Sequence, residues 1–107
     1  VEQLTFGDIV LLKFPFTDGH SFKKRPALVI NDYNDGDVIV CRITSKLYNS
    51  GQDILIGKWE TFGLKLPSVI RVHKIATLEK ELVETVIGKV DQSIKLKLKT
   101  IFANIPR

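Results

Sequence analysis

The sequence predicts a mainly β domain: a small antiparallel β-barrel covered on one side by a single C-terminal helix. Three observations carry this. Five or more short β-prone runs follow one another, Gly and Pro with Asn and Asp stand at their joints, and one amphipathic segment closes the chain. The first run, Ile9 to Phe14, is closed by Pro15, whose missing N–H ends a strand. Thr17-Asp18-Gly19-His20-Ser21 after it has loop composition. Ala27 to Ile30 begins directly after Pro26, and Val38 to Ile43 follows the turn formers Asn31 to Gly36, so these two runs pair as a hairpin. Gly51 and Gly57 bracket the short run Asp53 to Ile56. Pro67 introduces Ser68 to His73, and Gly88 interrupts a last run, Val86 to Val90, without abolishing it.

The C-terminal segment is read two ways. Ile94-Lys95-Leu96-Lys97-Leu98-Lys99 alternates with period two and alone would pass for an edge strand. In a wider window Ile94, Leu98, Ile101, Phe102 and Ile105 fall at helical spacing, with Asp91 as N-cap and Pro106 as stop. A helix over residues 92–105 places more apolar positions on one face than the strand does.

With 107 residues the chain has room for one core, so one domain over 1–107 is expected. Hydrophobic residues at 44% and charged residues at 26% exclude a disordered, collagen-like or disulfide-scaffold chain. The single cysteine, Cys41, cannot form an intramolecular bridge, and no basic stretch followed by an apolar run marks a secretory signal, which together suit a cytoplasmic protein. No apolar stretch approaches the roughly 20 residues that span a bilayer, so no membrane partner is expected. A net charge of +4 favours a polyanionic partner.

There is no P-loop, no dinucleotide-binding glycine pattern and no metal-ligand spacing, so neither a cofactor nor a metal is expected. Cys41 alternates with Ile39 and Ile43 and reads as a buried apolar residue rather than a thiol nucleophile. The other face of that strand holds Val38, Val40, Arg42 and Thr44 and ends in a polar Thr44-Ser45-Lys46 mouth. Arg71 and His73 share a face, and Lys23-Lys24-Arg25 bring three cations to where a loop enters the sheet. Guanidinium groups, a hydroxyl and an imidazole suit a phosphodiester, whose transition state gathers charge on its nonbridging oxygens. RNA carries its own nucleophile, the 2′-OH, so such a site needs only a base, an acid and charge stabilisation. The same cations also fit a solvated loop and exposed strand positions, and residue types alone leave that choice open.

Gly7-Asp8-Ile9-Val10, Phe14-Pro15-Phe16-Thr17-Asp18-Gly19, Arg25-Pro26-Ala27-Leu28-Val29-Ile30 and Ile43-Thr44-Ser45 resemble, in order, the N-terminal motifs of the PemK/MazF toxins. Gly63-Leu64, Pro67-Ser68, Val69-Ile70-Arg71-Val72 and Ile75-Ala76-Thr77-Leu78 continue the similarity over nearly the whole chain. The resemblance implies an SH3-like barrel of the PemK/MazF/CcdB type and a homodimer. It implies a metal-free endoribonuclease that cuts single-stranded RNA to 2′,3′-cyclic phosphate and 5′-hydroxyl ends and is neutralised by a small antitoxin, expected to be acidic. MazF-like members use an Arg and a Thr at the positions of Arg25 and Thr44. PemK-like members use a loop His, matched by His20, and an Arg-x-Asp strand, matched at Arg71. Where that strand has Asp, this chain has His73, a departure that replaces a carboxylate by a group whose neutral form can accept the 2′-OH proton. Lys23, Lys24, Ser45 and Lys46 are expected to track the RNA backbone, with Phe22 and Tyr48 as stacking platforms. The alternative is a noncatalytic barrel module that binds RNA or, as CcdB-like toxins do, a protein target.

Overall fold

The computed structural model describes residues 2–15 and 18–104. Six strands, β1 (Asp8–Pro15), β2 (Phe22–Asn31), β3 (Asp37–Thr44), β4 (Asp53–Ile56), β5 (Ser68–Glu79) and β6 (Val83–Lys89), precede the helix α1 (Gln92–Ala103). The strands form one antiparallel sheet in the order β4-β5-β3-β2-β1-β6. The mainly β architecture with a C-terminal helix is the expected one. The barrel description is refined in one respect: β4 and β6 are not paired with each other, so the sheet is open along those two edges.

Alternation along the strands gives the sheet two apolar faces. Ile9, Leu28 and Cys41 are successive cross-strand neighbours, as are Ile43, Ile70 and Ile54, and all six are buried on the face that α1 covers with Ile94 and Leu98. Val10, Leu12, Ala27, Val29, Val38 and Val40 bury the other face with Leu4 and Val83. The Cys41 thiol is buried, and that burial pushes its pKa up to about 12, which fits a packing role and not a nucleophile.

The helix starts where its cap predicts, since Asp91 Oδ1 accepts the Ile94 N–H at 3.0 Å. The expected end at residue 105 and the Pro106 stop lie outside the described residues. Three strands are longer than their apolar runs. β2 begins at Phe22 and runs through Pro26; β3 pairs with β2 only from Ala27 onward, so at Pro26 the strand has a free edge and a missing N–H is tolerated. β5 continues to Glu79 past an irregularity opposite Cys41 and Arg42, and β6 begins at Val83.

The 3-10 turn Trp59–Phe62 packs against the backbone of β6. A Cβ on Gly63 would lie 2.1 Å from the Ile87 carbonyl oxygen, and one on Gly88 would lie 2.2 Å from that of Phe62. Gly63 also has φ 80°, the left-handed region where a side chain is strained. Gly63→Ala and Gly88→Ala are therefore each expected to destabilise the protein by about 3 kcal/mol through overpacking and strain. A thermal melt of either variant within a few degrees of the wild type would show that the turn and β6 separate freely. Among the described residues no helix is long and apolar enough to cross a membrane.

Candidate functional site

Where β2 and β3 leave the packed part of the sheet, their polar residues meet around a cleft of about 550 Å³. Ala27 pairs with Arg42 as the last pair of the β2–β3 ladder, and Arg25 and Thr44 each lie two residues beyond it on their own strands. Both line the cleft, with Lys24, Ser45 and Lys46. The segment before β5 adds Lys65, while Leu11, Pro26, Leu64 and Ile87 give apolar walls. Lys24, Arg25, Arg42, Lys46 and Lys65 thus face one cavity that no described carboxylate lines.

Thr44 is poised to donate. Its Oγ1 accepts the Lys46 N–H at 3.2 Å, which leaves the hydroxyl hydrogen free for an acceptor in the cleft. Arg25 is exposed, and no described carboxylate lies within ion-pair distance of Arg25, Arg42, Lys46 or Lys65. Lys24 is paired with Glu84 at 3.1 Å across to β6.

Arg71 and His73 stand outside that lining, on β5, in a cluster of their own. Arg71 Nε donates to Asp53 Oδ1 at 2.9 Å, its guanidinium lies 3.6 Å over the Tyr48 ring, and its Nη2 approaches His73 Nε2 at 3.4 Å. Burial works to raise the Asp53 carboxyl, and hydrogen bonds from Ser50 and Arg71 overcome it, leaving the group below its ordinary range. Hydrogen bonding and charge from Lys46, with Arg71 and Arg42 adding charge, likewise hold the Tyr48 phenol below its usual range. The two groups adjoin through Arg42, which lines the cleft and pairs in register with Arg71.

His20 lies in the exposed loop before β2, where the Asp18 carboxylate caps it by accepting the His20 and Ser21 N–H groups; neither His20 nor Lys23 lines the cleft. Both aromatic candidates already carry a cation: Lys13 lies 4.2 Å from the Phe22 ring centre, and Lys46 lies 5.0 Å from that of Tyr48. Sequence reasoning assigned no role to Arg42, Lys65 or Asp53. Arg42 carried a signal, its alternation with Thr44; Lys65 and Asp53 reach their partners through the chain path alone.

Residues 5–105 match the family described as PemK-like, MazF-like toxin of type II toxin-antitoxin system. The chain belongs to this family. Among solved structures, MazE-MazF (Form-II) from Deinococcus radiodurans superposes with a TM-score of 0.79 at 18% identity, covering 98% of this chain and 96% of that one. An endoribonuclease in complex with its cognate antitoxin from a mycobacterial species gives 0.75 at 17%, covering 97% and 98%. Mycobacterium tuberculosis toxin MazF-mt6 gives 0.70 at 19%, covering 89% and 93%. At these identities the likeness establishes the fold. No curated protein matches the sequence. In this PemK/MazF chain the cleft therefore forms at the Arg-Pro and Ile-Thr-Ser motifs, from which the resemblance drew Arg25 and Thr44.

Proposed function

We propose that this toxin-family chain is an endoribonuclease that cleaves single-stranded RNA without a metal, with Arg25 and Thr44 at its centre. The observation that carries the reading is the cleft itself: Arg25 and Thr44 face one cavity lined by five cations and by no described carboxylate. A phosphodiester seated there has its nonbridging oxygens bound by the Arg25 guanidinium and the Thr44 hydroxyl, which grip hardest as charge builds in the transition state. The 2′-oxygen bonds to phosphorus as its proton passes to the Arg25 guanidinium, which gives up one of its own to the 5′-oxygen as the bond from phosphorus to that oxygen breaks. The products are a 2′,3′-cyclic phosphate and a 5′-hydroxyl. Lys24, Ser45 and Lys46 hold the flanking backbone. Lys23, at the entrance of the same strand, adds charge to the approach.

One solved relative, the mycobacterial endoribonuclease, is described in complex with its cognate antitoxin, and another as the Deinococcus MazE-MazF assembly. We extend this to the present chain as a homodimer neutralised by an acidic antitoxin that covers the basic cleft, where the exposed Leu66 at its rim adds apolar surface. RNA as substrate places the action in the cytoplasm. The deciding assay is incubation of mixed single-stranded RNA with a chelator present and analysis of the new ends. Cyclic phosphate and 5′-hydroxyl ends support the reading; binding without cleavage supports the noncatalytic barrel module instead.

His73, His20 and Arg71 would be the acid–base set of a PemK-like mechanism, but none of the three lines the cleft. The expected result is that His73→Asn and wild type share one pH–rate profile. A low-pH limb present in the wild type and flattened in the variant would return the general-base role to His73.

A further inference from the structure

Arg42 sits inside β3 with Ala27 opposite it on β2 and Arg71 opposite it on β5. Like charges directly opposite each other destabilise a sheet. Only one member of this pair is neutralised. Asp53 takes the Arg71 Nε–H, Tyr48 covers a face of that guanidinium, and the Arg71 side chain is only 13% exposed. Arg42 is exposed, lines the cleft and shares the strand face of Thr44, and no described carboxylate lies within ion-pair distance of it. A free guanidinium held against a like charge at the wall of a carboxylate-free cleft is unfavourable until an anion arrives.

We infer that Arg42 binds the RNA phosphate adjacent to the scissile one, with Arg71 as the strut behind it. The inference rests on the endoribonuclease reading and deepens it. Arg42 and Thr44 stand two residues apart, roughly 7 Å along the strand, so neighbouring phosphates of an extended single strand reach both. Arg42 thereby sets the direction in which RNA leaves the Arg25–Thr44 centre, along β3.

The test is the salt dependence of binding of a fully 2′-O-methylated RNA pool, which cannot be cleaved by 2′-OH attack, to wild type, Arg42→Gln, Arg42→Met and Lys97→Gln. Lys97 is exposed on the helix and does not line the cleft. Loss of one phosphate contact lowers the magnitude of the log–log salt slope by about 0.7. Both Arg42 variants should show that loss with a melting temperature at or above that of the wild type, since the like-charge pair is relieved, and Lys97→Gln should keep the wild-type slope. Arg42→Met retains the aliphatic stem and decides the matter should Arg42→Gln disturb the fold. A wild-type slope in the folded Arg42 variants overturns the assignment, as does an equal loss in Lys97→Gln, which would make the effect one of general charge. A wild type that binds no RNA overturns the endoribonuclease reading and this inference with it.

Discussion

Arg25→Ala and Thr44→Ala are each expected to slow RNA cleavage on the order of 100-fold while leaving the fold intact. Each removes one preorganised contact to charge that develops on the nonbridging oxygens, a loss of about 3 kcal/mol of transition-state stabilisation. Neither change touches the core. Arg25 is exposed and without an ion-pair partner among the described residues, and Thr44 contributes only one acceptor, for the Lys46 N–H. The melting temperatures should therefore stay close to the wild type. Arg25→Lys should recover little, because an ammonium cannot present two parallel N–H groups to a phosphate. Single-turnover cleavage and a thermal melt on the same preparations check both halves. A folded Arg25→Ala protein that cleaves at the wild-type rate would remove Arg25 from the centre altogether.

What was legible in the sequence was local. Asp91 and the helical spacing of Ile94, Leu98, Ile101 and Phe102 located α1, because a cap and a 3.6-residue period are written within one stretch of chain. The alternation around Cys41 separated the face of β3 that packs under α1 from the face of Arg42 and Thr44 for the same reason. The expected hairpin brought Arg25 and Thr44 to one cleft. Pairings between distant segments were not legible. Asp53 is 18 residues from Arg71, and nothing in either segment announces that β4 folds onto β5 and supplies a carboxylate when position 73 has none. The second half of β5 was missed because residues 73–77 are exposed and have no buried period to betray a strand. Pro26 read as a boundary because its tolerance inside β2 depends on where β3 stops pairing, a tertiary fact.

Asp32→Asn is expected to destabilise the protein by about 4 kcal/mol, the usual consequence of breaking a buried ion pair from one side. The Asp32 side chain is 0% exposed. Its Oδ2 accepts the Leu4 N–H at 3.0 Å and the Lys80 ammonium at 2.7 Å, and its Oδ1 accepts the Asn34 N–H at 2.9 Å. Every partner is a donor, so an amide that offers an NH₂ on one side must face a donor with a donor. The melting temperature should fall by roughly 15 °C or more for a domain of this size. The Leu4 hydrogen bond first, then Lys80, lower the folded carboxyl from 3.8 to about 2. A depressed folded value means stabilisation that is fully present above the unfolded value and disappears as pH falls through the folded one. That contribution, about 2 kcal/mol, should therefore be lost between about pH 4 and pH 2, and the gap between wild type and Asp32→Asn should narrow over the same interval. Denaturant melts at pH 6 and pH 2.5 read both quantities, and a variant as stable as the wild type at pH 6 would contradict the assignment. Asp32 lies seven residues beyond Arg25 at the far end of β2, roughly 20 Å along the strand. Cleavage per folded molecule should therefore be retained, the reverse of the Arg25→Ala outcome, so the pair of variants separates what holds the sheet together from what acts on RNA.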